Sequence, residues 1–365
     1  MNLESLVSYT SWSVLTATFL LVLHLTIGGV TLSAILHLCS AKWRYHVRGI
    51  AVSLFALYPL AFVLLLILLG AGLMGHGPLL WIGGGEEPGA EHHALNGWHN
   101  PAFLAAREIL GLLFIGWLYR RYIQLQEVSE RSEGDWERFK MTANFIPVAH
   151  VLYGTMIGWD WEMTMLPFWE SSVYGMYHFV SNFGMLLSSM VVICYVLVRG
   201  NHLRKALPDF IFNYFAQMML AFTILWTYLF FAQYLTIWYG NLPHERNRIE
   251  NMLGGDYSVL WWTFFVMKFA IPFVFLVFTY FRHSRVSILR IACSIIIGTW
   301  IERFTWIAGS VHTGDFEHAA YPFTHVFDVV AFLAVVLVGR YLVLRKLEKN
   351  DIIRVPLAGP AARAA

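Results

Sequence analysis

Long apolar runs recur along the whole chain, and they limit the protein to one structural class. Only 13% of its 365 residues are charged and 58% are hydrophobic, whereas a soluble domain carries about 25% charged residues. An apolar run of about 20 residues is long enough to cross a bilayer as a helix. We therefore predict an all-α integral membrane protein with about nine transmembrane helices. The predicted spans cover residues 12–40, 46–75, 102–121, 141–165, 172–199, 208–239, 257–282, 286–310 and 321–344.

Lys and Arg residues are distributed unequally between the two sides of these predicted spans. Twenty of the 25 lie on one side, and only Arg246 and Arg248 lie on the other. Because cytoplasmic segments carry the excess of basic residues, the N-terminus is expected outside and the C-terminus in the cytoplasm. The first apolar run has no basic region before it and no small-residue cleavage site, so we expect it to be retained. The dispersed basic residues give no indication of nucleic-acid binding.

Three polar connections and a C-terminal tail interrupt the apolar pattern. Residues 76–101 are rich in Gly, His and Glu, and residues 241–256 and 311–320 are also polar. All three fall on the outer side, where such loops cap a site or contact a partner. The Pro- and Ala-rich residues 351–365 are predicted to lie extended along a surface or to be disordered.

The sequence gives little indication of a redox centre. Cys39, Cys194 and Cys293 lie in apolar runs without CxxC spacing, so we expect core residues and no disulfide, zinc or iron–sulfur site. His24 and His37 share one helix, but a pair of haems would need a matching His pair on a second helix. Since no other span supplies two histidines, we predict no haem and no metal in this chain.

Ionisable and polar residues inside the spans are the candidates for a functional site. A charge at the centre of a bilayer costs at least about 2.5–3.5 kcal/mol, so such residues are retained for a role or a partner. Most of them fall in the outer half of the membrane, which indicates a polar pocket or a proton route open to that side. The candidates are His24, Arg107, Glu108, His150, Asp160, His178, Gln233, Tyr234, Lys268, Glu302, Arg303, His325 and Asp328, and Glu162 is a further ionisable residue at the end of a span.

Two of the charged positions are adjacent pairs of opposite charge. Arg107 precedes Glu108, and Glu302 precedes Arg303. Neighbouring residues on a helix point about 100° apart, so each residue is expected to pair with another helix and not with its neighbour. Structural ion pairing is therefore an alternative to a chemical role for these residues.

Other candidates also have structural interpretations. Asp160 lies between two Trp residues and would suit a membrane interface, and His24 would suit a hydrogen-bonded core. Lys268 has no acidic residue within a helical turn. It must therefore find its partner on another helix, and Glu302 and Asp328 are the two acids that we expect.

Two motifs resemble a known membrane family. FAQYLTIWYGNLPHE at residues 231–245 and GWDWEMTMLPFWESSVYGMYHF at residues 158–179 resemble segments of the NrfD/PsrC-like family, in the branch formed by the second quinone-binding membrane subunit of alternative complex III, a quinol:cytochrome c oxidoreductase. HLTIGGVTLSAILH at the start of the chain also resembles that branch. The resemblance implies two four-helix bundles and a flanking helix. The domains it implies are residues 1–167, 168–310 and 311–346, followed by a cytoplasmic tail at 347–365. Relatives often have ten spans, so the first of theirs is expected to be missing here.

The resemblance also implies a function. It implies a subunit of a bacterial inner-membrane complex that oxidises menaquinol or ubiquinol, with an outer N-terminus that is periplasmic. The partners would be an iron–sulfur or molybdopterin-like peripheral subunit, a sister quinol-binding subunit, c-type cytochromes and lipids. The sister subunit places a His six residues before the motif Asp, where this chain has Gly154. This difference favours proton conduction or an assembly role over quinol oxidation in the chain itself, and an ion or solute transporter is a further alternative.

Overall fold

The computed structural model describes residues 9–75, 77, 79–83, 97–166, 169–255, 257–309 and 321–354. These residues are predominantly helical, and within them the one β-type pairing is an isolated antiparallel bridge between Leu203 and Ile353. The predicted connections at residues 76–101 and 311–320 and the tail beyond residue 354 lie largely or wholly outside the described residues. The main helices are α1 Tyr9–Leu38, α2 Arg44–Leu73, α3 Pro101–Val128, α4 Glu133–Trp161, α5 Tyr174–Arg199, α6 Phe210–Gly240, α7 Pro243–Gly254, α8 Ser258–Val277, α9 Arg285–Ala308 and α10 Val326–Lys349.

Eight of these helices are long and apolar enough to cross a membrane: α1, α2, α3, α5, α6, α8, α9 and α10. The protein is therefore an all-α, multi-pass membrane protein, as the composition predicted. The ninth predicted span, 141–165, corresponds to α4, a helix of 29 residues. Asn144, Pro147 and His150 make its apolar stretch more polar than the others, so α4 is not counted with the eight.

We name the two ends of the helical assembly by their residues. The Tyr9 end contains the start of α1 and the end of α9, and the basic end contains Arg44, Arg199 and Arg285. At the Tyr9 end, the predicted polar loop at 241–256 proves to be mostly the helix α7. Pro at the first position of α7 and Asn241 in the left-handed conformation before it separate α7 from α6.

Helix α1 is the centre of the fold. It packs against α2, α4, α5, α9 and α10, and 83% of its most apolar window is buried, compared with 22% for α10 at the periphery. A Cβ at Gly29 would lie 2.3 Å from the carbonyl oxygen of Ala51, and one at Gly28 would lie 2.9 Å from the Leu186 side chain. These two glycines therefore let α1 approach α2 and α5 closely.

Helix α8 is the most irregular of the long helices. It contains a π-helical turn, Val266–Ala270, and Pro272 follows directly. Phe278 has an extended backbone conformation, so the long helix ends at Val277, five residues before the end of the predicted span 257–282. π-helical turns are rare and are frequent at functional sites, and this one contains Lys268.

Candidate functional site

Five ionisable side chains from four helical segments meet inside the protein near the Tyr9 end, and we call them the Glu302 cluster: Glu162, His178, Lys268, Glu302 and Arg303. Each is at most 4% exposed. Glu162 directly follows α4, His178 is in the first half of α5, Lys268 is in α8, and Glu302 with Arg303 is near the end of α9. The sequence predicted four of these five as candidates, and the structure brings all four together.

The Glu302 carboxylate is the most heavily bonded group of the cluster. It forms an ion pair with Lys268, which settles the choice between Glu302 and Asp328 in favour of Glu302. It is also bonded by Arg303 at 2.8 Å. Glu302 and Arg303 therefore pair with other segments, as expected, and contact each other as well. Neutral donors complete its shell: the Ser181 hydroxyl at 2.6 Å, the Trp226 indole at 2.8 Å and the Tyr177 hydroxyl.

The Glu162 carboxylate occupies the other side of the Arg303 guanidinium. One guanidinium nitrogen, Nη1, lies 2.7 Å and 2.6 Å from the two carboxylate oxygens. Glu162 also accepts a hydrogen bond from the Tyr174 hydroxyl at 2.6 Å and lies 2.9 Å from Nδ1 of His178. Arg303 therefore links the two buried carboxylates of the cluster.

The charges of the cluster balance when its histidine is neutral. Glu162 and Glu302 supply two negative charges, and Lys268 and Arg303 supply two positive charges. Buried charges are tolerated only when they are paired and hydrogen-bonded, and this arrangement meets both conditions. His178 is then the member that can gain a proton and carry it beside a carboxylate.

A second histidine extends the cluster towards the middle of the membrane. Nε2 of His178 lies 2.7 Å from Nε2 of His24 on α1. Nδ1 of His178 lies 2.9 Å from the Glu162 carboxylate and 2.8 Å from Nη1 of Arg303. Since Nη1 already donates to both oxygens of Glu162, we assign the ring proton to Nδ1, so that Nε2 accepts a hydrogen bond from His24. Nδ1 of His24 is then an acceptor, and it has no hydrogen-bond partner among the described residues. Gly158 permits this packing, since a Cβ there would lie 2.9 Å from Cγ of His178.

Further polar groups lie beyond His24. The rings of His24 and His150 are stacked with their centroids 6.1 Å apart, and Gly154 lies beside both rings. Nδ1 of His150 is 2.9 Å from the Thr31 hydroxyl, which is 3.0 Å from the Tyr119 hydroxyl. The buried polar groups thus continue from His24 towards the basic end through α1, α3 and α4.

The π-helical turn of α8 directs Lys268 towards Glu302. Widening the turn frees a backbone carbonyl, and that of Met267 accepts a hydrogen bond of 2.8 Å from the Ser294 hydroxyl on α9. Gly298, one turn further along α9, lies directly against the Lys268 stem. Ser294 and Gly298 therefore act as positioning residues for Lys268.

Replacement of Gly298 by alanine is expected to displace Lys268. The added Cβ would lie 2.7 Å from Cγ of Lys268 and 3.0 Å from Cβ of Met267, and overpacking of this kind costs about 1–3 kcal/mol. Gly184→Ala is the matched control, since its Cβ would meet its nearest neighbour at an ordinary 3.6 Å. Thermal unfolding of the purified protein measures both variants. Equal melting temperatures for the two variants would contradict the tight contact at Gly298.

Arg248 of α7 closes the cluster at the Tyr9 end. Its guanidinium donates to the carbonyl oxygens of Glu162 at 2.6 Å and Trp306 at 3.2 Å. It also lies over the rings of Trp169 and Trp306, at 4.3 Å and 4.9 Å from their centroids. Burial lowers the pKa of Arg248 to about 10, so the group remains charged at neutral pH. The sequence predicted Arg248 only as a loop residue on the outer side.

Removing the Arg248 side chain is expected to open this end of the cluster to water. Arg248→Ala leaves the Glu162 and Trp306 carbonyl oxygens without these donors, which costs about 1–3 kcal/mol. Trp169 and Trp306 would become hydrated, so tryptophan fluorescence should shift to longer wavelength. Arg246→Ala on the same helix is the control, because Arg246 is 43% exposed and pairs with Glu250 on the surface. If both variants gave the same spectrum and the same melting temperature, Arg248 would not be a closing residue.

A second group of candidates lies between α3 and α4, and we call it the Asp160 cluster: Trp98, Arg107, Glu108, Tyr153 and Asp160. Arg107 forms two bonds with the Asp160 carboxylate, at 2.7 Å and 2.6 Å, so it pairs with another helix as expected. The Trp98 indole donates to the same carboxylate at 2.8 Å. The interfacial interpretation of Asp160 was incomplete, since the residue is fully buried in an ion pair.

The remaining candidates are not bonded to either cluster. His325 is exposed and Tyr234 is half-buried. Gln233 and Asp328 are buried, but neither side chain has a hydrogen-bond partner in the part of the chain that the structure describes. Asp328 begins α10, and no ion pair links it to Lys268 within those residues.

Several residues of the site were not among the predicted candidates. Glu162 was noted only as an ionisable residue, and Tyr174, Tyr177, Ser181 and Trp226 were not considered. A signal was present on α5, where Tyr174, Tyr177, His178 and Ser181 have the spacing of one helix face. If that helix face had been interpreted as polar, Tyr174, Tyr177 and Ser181 would have been predicted as site residues. Their hydroxyl groups donate hydrogen bonds to Glu162 and Glu302.

A cavity of about 380 Å³ lies at the Tyr9 end between the two clusters. Three tryptophans form much of its wall, and polar side chains lie at its edge. The indole N–H of Trp159 is buried and has no hydrogen-bond partner among the described residues. The residues that line it include Trp98, Trp159, Met163, Trp169, Glu170 and Ser171.

Comparison with known proteins gave no relative: no family model matches the chain, and no curated protein matches it. The chemistry of the two clusters is therefore the basis for any statement about function.

Proposed function

We propose that the protein is a membrane subunit of a quinol-oxidising respiratory complex of the alternative complex III type, and that the Glu302 cluster with His24 carries protons for it. The observation that carries this proposal is the hydrogen-bonded series Glu162, His178 and His24, which runs from the Tyr9 end towards mid-membrane. A purely structural set of ion pairs would not need two histidines bonded ring to ring beside a balanced set of charges.

The proton transfer follows from the tautomers of the two rings. A proton that binds Nδ1 of His24 allows the Nε2 proton of His24 to move to Nε2 of His178. His178 can then release its Nδ1 proton to Glu162, and the reverse sequence moves a proton inward. Histidine suits this task because each ring has two nitrogens, of which one can accept a proton while the other donates one. Before that release, the negative charges of Glu162 and Glu302 stabilise the extra positive charge on either ring.

The polar groups beyond His24 give the proton a way towards the basic end. His150, Thr31 and Tyr119 are bonded in series. The 6.1 Å between the His24 and His150 ring centroids leaves one gap in the series, next to Gly154. One water molecule between two polar partners would bridge such a gap. The sister subunit of the resembling family has a His at the position of Gly154. In this chain the missing side chain leaves space, and the proposed proton route uses that space.

A quinone fits the aromatic cavity between the clusters. Quinone rings are flat and apolar, and the cavity offers tryptophan walls with polar Ser171 and Glu170 among its lining residues. When bound, menaquinone or ubiquinone would supply the two-electron redox chemistry. This chain would hold the ring with Trp98, Trp159 and Trp169, and Glu162, next to the lining residue Met163, would receive the protons. Electrons would leave through iron–sulfur and cytochrome c subunits of the complex.

We propose nine membrane crossings for this subunit, with α4 as the ninth. Helix α4 packs along α1, α3 and α5, each of which is long and apolar enough to cross the membrane. On this arrangement α1 to α4 form one four-helix bundle, α5, α6, α8 and α9 form the second, and α10 flanks them. The positive-inside rule then places the Tyr9 end in the periplasm of a bacterial inner membrane.

Glu302→Gln in the intact complex separates a chemical role from an assembly role. Without the Glu302 carboxylate, the positive charges of Lys268 and Arg303 would disfavour a proton on His178. Since the proposed route needs that proton, quinol turnover per assembled complex should fall at least tenfold. Asp328→Asn is the control, because it converts a buried carboxyl group outside both clusters to an amide of nearly the same shape. Reduced yield with normal turnover per complex would instead support the assembly role, and transport of a solute by the purified chain in liposomes would support a transporter.

A further inference from the structure

Glu108 differs from every acidic residue of the Glu302 cluster. It lies in the first half of α3 and is fully buried. Neither of its carboxylate oxygens has a well-formed hydrogen bond among the residues that the structure describes, and the one polar donor near it on α4 besides Tyr153 is the neutral indole N–H of Trp161. An ionised carboxylate in such a place is very unfavourable, since its charge is neither solvated nor paired.

The nearby cation is already used by another acid. Arg107 directs Nε and Nη2 to the two oxygens of Asp160 and donates Nη1 to the carbonyl oxygen of Trp98 at 2.9 Å. The Trp98 indole adds a further donor to Asp160. The charge of Asp160 is therefore compensated, and that of Glu108 is not.

The groups that face Glu108 include no second cation among the described residues. On its own helix the charged neighbour is Arg107, and on α4 the neighbours are Asp160, Trp161 and Tyr153. Tyr58 of α2 faces Tyr153, but its hydroxyl donates to the Leu112 carbonyl oxygen. Asp160 therefore adds a like charge beside Glu108, which further disfavours the ionised form of Glu108.

We propose that Glu108 is a neutral carboxylic acid in the resting protein, and that Glu108, Asp160 and Tyr153 form a second proton-binding site, separate from the Glu302 cluster. A proton on Glu108 removes the buried charge and provides a donor. Glu108 is close enough to Asp160 for that donor to form a hydrogen bond, which two ionised carboxylates could not form.

Tyr153 supports the same assignment independently. Its hydroxyl is buried and has no hydrogen-bond partner among the described residues, although it lies beside Glu108. A carboxylic acid, or one water molecule between the two side chains, satisfies both groups together. Asp160 accepts a hydrogen bond from Trp98, which lines the aromatic cavity, so the site lies next to that cavity at the Tyr9 end. This inference does not depend on the proposed function.

Infrared spectroscopy of the purified complex tests the protonation state directly. A protonated carboxyl group gives a C=O stretching band that is absent from an ionised carboxylate and that shifts in D₂O. At neutral pH, Glu108→Gln should remove a band of this type. Glu302→Gln is the matched control, because Glu302 is a buried glutamate paired with two cations. It should leave the acid bands unchanged and remove carboxylate intensity instead.

A second variant keeps the test decisive if Glu108→Gln is not recovered. Tyr153→Phe removes only the hydroxyl next to Glu108, and it should displace the same C=O band without abolishing it. The proposal would be overturned if Glu108→Gln removed carboxylate intensity and left every acid band in place. It would also be overturned if Tyr153→Phe left all acid bands at their positions. Both readouts concern the resting protein, so failure here leaves the proton-transfer test of Glu302 unaffected.

Discussion

Arg303→Met is expected to destabilise the protein by about 3–5 kcal/mol, because it leaves buried charges without their partner. Arg303 bonds Glu162 and Glu302 on either side, and methionine fills much of the same volume without charge. After the change Lys268 alone would face Glu302, and Glu162 would keep only neutral donors. Thermal and denaturant unfolding of the purified protein would show the loss as a lower midpoint.

Two other substitutions serve as comparisons for the loss of stability in Arg303→Met. Arg303→Lys retains the positive charge but cannot reproduce the planar guanidinium that bonds both acids, so its loss should be smaller than that of Arg303→Met. Arg290→Met removes an exposed arginine from the same helix, and surface changes of this kind stay within about 0.5 kcal/mol. Equal stability for Arg303→Met and Arg290→Met would show that the buried pairs contribute nothing.

Lys268→Met and Glu302→Gln are expected to be strongly coupled. Each single change leaves one unbalanced charge in the buried cluster, whereas the double variant removes both charges of the ion pair together. The double variant should therefore be more stable than the sum of the single effects predicts, with a coupling energy of about 2–3 kcal/mol. Unfolding free energies of the four proteins of a double-mutant cycle measure this coupling.

A second double-mutant cycle serves as the control. It pairs Lys268 with Asp328, the other acidic residue that the sequence offered as its partner. Lys268→Met and Asp328→Asn share no contact among the described residues, so their effects should add within about 0.3–0.5 kcal/mol. Coupling of Lys268 to Asp328 as strong as its coupling to Glu302 would mean that the ion pair has been assigned to the wrong acid.

The sequence was sufficient for the class of the protein and for most of its helices. Apolar runs and basic residues at their ends are local signals, and eight of the predicted spans correspond to long apolar helices. Helix α7 was missed because its residues 243–254 are polar, and the folding of a polar helix onto the Tyr9 end depends on the buried contacts of Arg248. The π-helical turn at Lys268 was also beyond prediction, because contacts with Ser294 and Gly298 on another helix support it.

The site was predicted as a set of residues but not as two clusters. The cost of burying charge identifies Lys268, Glu302 and Arg303 from sequence alone. It does not identify which acid each cation contacts, because that depends on how α4, α8 and α9 pack. For the same reason the sequence does not show whether Arg107 pairs with Glu108 or with Asp160. In three dimensions Asp160 takes the arginine, and Glu108 is left without it.

The number of protons released per electron during quinol oxidation tests the central claim most directly. The complex would be reconstituted in sealed vesicles, and a pH-sensitive dye would report release at the Tyr9 side. We predict that His24→Leu, which removes the ring that is bonded to His178 and faces His150, lowers this ratio by at least half at any given electron flux. His325→Leu, at an exposed histidine outside both clusters, should leave it unchanged. An unaltered ratio in His24→Leu, with electron flux intact, would contradict proton transfer through this cluster.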